Sequence, residues 1–151
     1  MPLKQIGFIA STLATFAFLT LSASASDFPD LRGQWTGTYL AATAGKDDQP
    51  GPRFNNGEMV MDILKQQDNA FGGTNKWRVI GRDNWRTGEI MGSASLEDPN
   101  AIAIMEKSSN PDHGVAGSFD GSLKDGKLYL TFRGLRTGTV YSTVLERTPG
   151  N

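Results

Sequence analysis

A chain of 151 residues with no cysteine and a single histidine excludes a disulfide framework, a thiol nucleophile and metal sites built on thiolates or on several imidazoles. Its 15 basic and 16 acidic residues leave a net charge of −1. No long basic stripe runs along it, which argues against nucleic acid or an anionic membrane as a partner.

Residues 1–25 carry the clearest signal. Lys4 and the chain's own amino group precede an uncharged, largely apolar run from Ile6 to Leu21, and small residues follow at Ala23-Ser24-Ala25. A positive start, an apolar middle and a small-residue end make up a secretory signal peptide, with cleavage expected near Ala25. The alternative, a membrane anchor, needs about 20 apolar residues to span a bilayer, and this run has 16. Residues 26–151 then form one domain, large enough to bury a core of its own. Without cysteine there is no lipoprotein anchor, and no Asn-x-Ser/Thr sequon is present. These features predict a bacterial protein free in the periplasm or the medium, with no membrane span after processing.

Along the remaining chain no stretch sustains a helical period, and glycines and turn-forming pairs recur. That pattern predicts short strands joined by tight turns. Eight strands are expected, over 34–42, 58–65, 70–80, 87–96, 101–106, 115–120, 127–133 and 139–147. Between them lie Gln67-Asp68-Asn69, Asp98-Pro99-Asn100, the turn from Asn110 to Gly114 and Lys124-Asp125-Gly126. Asp-Gly tolerates the positive φ angles of a tight hairpin, so 123–127 is the clearest one. Leu128, Leu130 and Phe132 should share one face of their strand, and Ile90, Gly92, Ala94 and Leu96 one side of theirs. The connector 43–57, polar and holding Pro50 and Pro52, is either a functional lid or simply a mobile loop. The fold class expected is all-β, an eight-stranded antiparallel up-and-down meander barrel, with an open β-sandwich as the alternative. An eight-stranded barrel has room for side chains or for one small ligand.

Leu31-Arg32-Gly33-Gln34-Trp35-Thr36-Gly37-Thr38-Tyr39 reads as Gly-x-Trp leading into a first strand. It resembles the calycins, the lipocalin and avidin superfamily, in which that Trp closes one barrel end under a basic side chain from the last strand. The resemblance implies that Trp35 and Arg147 form this pair, with the guanidinium covering the indole face. The whole chain after residue 25 also looks like small exported bacterial lipocalin-like proteins, through Gln67-Asp68-Asn69-Ala70-Phe71-Gly72-Gly73 and residues 143–148. It departs from the biotin binders, since Gly37 and Ala41 stand where they place Asn and Ser.

Catalytic constellations are hard to find. His113 sits in a Pro/Gly turn, where a triad could not hold it. Asp47, Asp48, Asp120 and Asp125 lie beside glycine or in polar loops, with no spacing that pairs two carboxylates across a cleft. Gly72-Gly73 lacks the Lys-Ser/Thr of a phosphate loop. The aromatics are better candidates. Trp35, Tyr39, Trp77 and Tyr141 are the expected ligand lining. Trp85, between Arg82 and Arg86, is either a partner contact or a Trp folded back over a barrel end. Gly37, Ala41, Gly92, Ala94, Ala101 and Ala103 leave lumen volume if they point inward, and permit close packing if they point outward. The sequence therefore predicts a non-enzymatic exported barrel, with no cofactor and no metal, that binds a small, partly apolar molecule. The alternative is a protein-interaction module, such as an inhibitor of a secreted hydrolase, using 43–57 and 81–88 as contact loops. A hydrolase or isomerase on the same barrel is a third and weaker reading.

Overall fold

Alternation at period two, broken by Gly, Pro and Asp/Asn turns, builds eight strands. They are β1 (Gly33–Thr43), β2 (Arg53–Gln67), β3 (Ala70–Val79), β4 (Arg86–Ala94), β5 (Ala101–Ser108), β6 (Val115–Lys124), β7 (Lys127–Gly134) and β8 (Thr139–Arg147). The computed structural model describes residues 27–45, 50–108 and 115–149. The expected signal peptide with its cleavage point near Ala25, Asp47, Asp48 and the turn holding His113 lie outside those residues. Each strand pairs antiparallel with the next and β8 returns to β1, closing the meander into a barrel. Closure removes both sheet edges and rules out the open sandwich.

Strand boundaries differ from expectation in instructive places. β2 begins at Arg53 rather than at residue 58, because Arg53 to Gly57 continue the ladder with β1 as far as Thr43. The expected connector 43–57 thus shrinks to 44–52. β6 runs on to Lys124, paired with Lys127. Asp125 and Gly126 turn between them with φ of 51° and 73°, the two positive values a two-residue hairpin loop demands. β4 stops at Ala94, so Leu96 lies beyond the strand and is 80% exposed.

Inward-facing positions form one core. Leu128, Leu130 and Phe132 are buried in β7, while Tyr129 between them faces outward. The turns β2–β3, β4–β5 and β6–β7 mark one end of the barrel, and a strap of residues 28–31 plugs it. Leu31 and Trp35 are almost fully buried there, and Trp35 Nε1 donates to the Leu31 carbonyl at 2.9 Å. The Arg147 guanidinium lies 4.6 Å over the indole and also donates to the Asp30 carbonyl. A register shift between Ile63 and Lys65 moves Gln66 opposite Phe71. This is the usual effect of a bulge, which re-aims a side chain. Gln66 then accepts from the Leu31 amide at 2.8 Å and donates to the Pro29 carbonyl at 2.9 Å.

Large rings fit inside so narrow a barrel because a neighbouring strand gives them space. Tyr39 lies over Gly57, Phe71 over Gly92 and Phe132 over Gly117, and a Cβ at any of these glycines would sit 2.4 Å or less from a ring carbon. Gly92 is therefore filled rather than empty. Ala41 and Ala94 are buried and inward, whereas Ala103 is exposed and leaves no lumen volume.

Two stability outcomes follow from this packing. Trp35→Ala should lower unfolding free energy by about 3–5 kcal/mol in denaturant melts, the usual loss for a buried large aromatic, and Arg147→Ala by less. Gly57→Ala adds one methyl group but displaces the Tyr39 ring, so it should destabilise by about 1–3 kcal/mol. A neutral Gly57→Ala in the same melts would contradict the ring-over-glycine packing.

Candidate functional site

Away from the plug, toward the β1–β2 and β3–β4 connectors, the lumen changes character. Two of its most deeply buried residues are polar: Asn75 on β3 is 0% exposed and Glu106 on β5 is 2% exposed. They meet although β4 lies between them. Gly88 of β4 stands in register with Asn75, and its missing side chain leaves room for the Glu106 carboxyl. A Cβ at Gly88 would come within 2.5 Å of Glu106 Oε1. Through this gap Asn75 Nδ2 donates to Glu106 Oε1 at 3.2 Å. The other amide atom, Asn75 Oδ1, is buried with no hydrogen-bond partner. Buried acceptors are nearly always satisfied, so an orphan of this kind calls for a cause.

Burial pushes the Glu106 carboxyl up to about 7, and the Asn75 hydrogen bond offsets only part of that. Desolvation disfavours the charged form, and one neutral donor is too little to reverse it.

In strand order β5 stands opposite β1, and there an aromatic stack faces the acid. Tyr39 and Tyr141 stack with centroids 4.3 Å apart, Tyr141 and Phe132 with centroids 4.9 Å apart, and Phe119 meets Tyr141 edge-on. Burial raises the Tyr39 phenol, with Arg86 pulling it down and Glu106 pushing it further up. Burial likewise raises Tyr141 well above the ordinary phenol range, and Glu106 and then Tyr39 add to that. The acid and both phenols therefore share one low-dielectric space.

The four residues expected to line a ligand do not all meet. Tyr39 and Tyr141 are in contact, and Trp77 is half-buried against the core. Trp35 belongs to the plugged end, four residues from Tyr39 along β1, or about 13 Å of strand. Trp85 is 41% exposed. Neither Arg82 nor Arg86 stacks on its indole. Arg78 does, at 4.6 Å, while also pairing with Glu58 on the outer wall. Asp120 pairs with Arg133 on the outer wall and Asp125 occupies a hairpin turn. As lone polar residues Asn75 and Glu106 do not stand out in the sequence, yet both keep the inward parity of their strands: Glu106 follows Ile102 and Ile104 at even steps, and Asn75 follows Phe71 and Gly73.

Outside the barrel, Leu40, Ile80, Tyr129 and Val144 help to line a shallow groove of about 770 Å³ across β1, β2 and β6–β8. Among the described residues no group of three or more His, Cys, Asp or Glu side chains converges to hold a metal. A scan against protein families and searches of curated proteins and of solved structures found no match to this chain. What the chain has in common with calycins thus rests on the barrel itself, an eight-stranded antiparallel meander consistent with that fold.

Glu106 gives this site a pH signature. Its folded-state value of about 7 lies above the ordinary 4.5, so its contribution to stability is fully present below pH 4.5 and is lost as pH rises through 7. The span corresponds to a loss on the order of 3 kcal/mol. Glu106→Gln should remove that slope in urea melts taken from pH 4.5 to pH 8 and leave the protein more stable than the parent at pH 8. An unchanged slope would place the titrating group elsewhere.

Proposed function

We propose that the chain is a non-enzymatic, exported lipocalin-like barrel that carries a small, partly apolar molecule in its lumen. One observation carries the reading: an unpartnered, fully buried Asn75 Oδ1 beside the buried Glu106, opposite a stack of three aromatic rings. A barrel needing only a core would fill these positions with apolar side chains, since a half-satisfied polar pair destabilises it. Ligand sites combine apolar walls with a few convergent polar groups, and barrel mouths are common places for them. The Gly-x-Trp lead-in with its Arg147 partner supports the lipocalin-like assignment, and residues 1–25 support export.

The outer wall favours a second reading, a protein-interaction module such as an inhibitor of a secreted hydrolase. Leu40 and Ile80 are more than half exposed in the groove that Tyr129 and Val144 also line, and Trp85 in the β3–β4 connector is 41% exposed. Aromatic and aliphatic side chains grouped in this way are the usual anchors of protein interfaces.

Native mass spectrometry of the protein purified from its own host separates the two. The carrier reading expects a co-purifying small molecule, lost in Asn75→Leu but retained in Leu40→Asp. The inhibitor reading expects a stoichiometric protein, retained in Asn75→Leu but lost in Leu40→Asp.

A further inference from the structure

Building on the lumen-binding reading, we infer that Asn75 and Glu106 anchor a small primary amine carried on an apolar body that rests against the aromatic stack. The hydrogen-bond inventory of the pair sets what a ligand must supply. The Asn75 amide has spent a donor on Glu106, and its carbonyl oxygen is left as a buried acceptor. An ionised carboxylate adds acceptors and no donor. The pair therefore presents acceptors and negative charge, which an ammonium, with three donors and one positive charge, can satisfy together.

The surroundings select for the same chemistry. None of the ion pairs among the described residues involves Glu106. A buried charge is stabilised chiefly by a partner that is itself hydrogen-bonded. The stacked rings of Tyr39, Tyr141 and Phe132, their faces turned to one another, offer an apolar wall for the body of the amine. The titratable groups coupled to the acid are Tyr39 from β1 and Tyr141 from β8; two cations stand at strand starts toward the same end, Arg86 on β4, which acts on Tyr39, and Arg53 on β2, whose Nε is buried without a partner. Both phenols are neutral, and Arg86 is exposed to solvent. An anionic ligand would meet Glu106 directly. A purely apolar one would leave Asn75 Oδ1 unpaired, which is the costly outcome for a buried polar atom.

The amine binds the ionised form of Glu106. In the free protein burial holds that carboxyl protonated up to about pH 7. Below that pH each binding event must displace one proton, so amine affinity falls by about tenfold per pH unit.

The test is an NMR titration of the 15N-labelled full chain at pH 8 with three probes of one skeleton: phenethylamine, 2-phenylethanol and 3-phenylpropionate. The amine should bind at least tenfold more tightly than the alcohol and shift the Asn75 side-chain amide and the Gly88 backbone amide. Its affinity should drop about tenfold per unit between pH 7 and pH 5 while that of the alcohol stays flat. Glu106→Gln should reduce amine binding to the level of the alcohol, whereas Glu89→Gln on the outer wall should leave it unchanged. The pH comparison on the parent protein stands even if Glu106→Gln fails to fold. If the alcohol shifts the lumen signals and the amine binds no more tightly, the amine anchor is wrong and the lumen reading survives. If none of the three probes shifts Asn75, Gly88, Tyr39 or Tyr141, the lumen reading falls and the amine anchor with it.

Discussion

The number of strands fixes how much space this protein has inside. Eight tilted strands enclose a lumen just wide enough for side chains or one small ligand, so a large group admitted on one strand is most easily seated over a small one on another. The chain meets that constraint four times with glycine. Gly57, Gly92 and Gly117 lie beneath the rings of Tyr39, Phe71 and Phe132, and Gly88 beneath the carboxyl of Glu106. The first three exchanges set an aromatic ring against bare backbone. The fourth follows the same geometry with different chemistry, because the admitted group is an acid and its neighbour is an amide.

Placing that acid far from the plug separates two demands on one core. At the plugged end Leu31, Trp35, Leu128 and Leu145 exclude water almost completely, and the polar atoms present are paired. There the barrel gains its stability. Toward the other end the core carries a carboxyl raised by burial and an amide oxygen with no partner. Neither improves the folded state by itself. Real proteins depart from local consistency mainly at functional positions, and here the departure lies in one half of the lumen, in two side chains in contact and in the unpartnered, buried Nε of Arg53 at the start of β2.

Much of the architecture was legible in the residues. Period-two alternation in Leu128, Leu130 and Phe132 located a strand and its buried face, Asp125-Gly126 fixed a hairpin, and Trp35 with Arg147 identified the closed end. The start of β2 was hidden because Arg53, Phe54, Asn55 and Asn56 extend past the core, where no apolar side is needed and the alternation fades. The candidate site was harder to see for a similar reason. Asn75 and Glu106 are polar residues at inward parity, so they read as breaks in a pattern and not as members of it. Only pairing across β4, with Gly88 as the gap, brings two residues 31 positions apart into contact. Trp35 carried two expectations at once, a pocket wall and a barrel end, because a large aromatic near a strand start suits both; the strap of residues 28–31 lies beside it at the plugged end.

The order of pairing has a consequence for how the barrel comes into being. Seven of its eight interfaces join strands adjacent in sequence, so each can form locally within a hairpin. The eighth, β1 with β8, joins groups such as Thr38 and Thr143, 105 positions apart along the chain. Loop-closure entropy opposes that contact most, and topologies that depend on distant contacts fold slowly. A ribosome delivers β8 last. Without that strand β1 and β7 would be unpaired edges, and Trp35 would lack the guanidinium of Arg147. Closure by β8 is thus what turns two adhesive sheet margins into a surface that copies of the chain cannot extend.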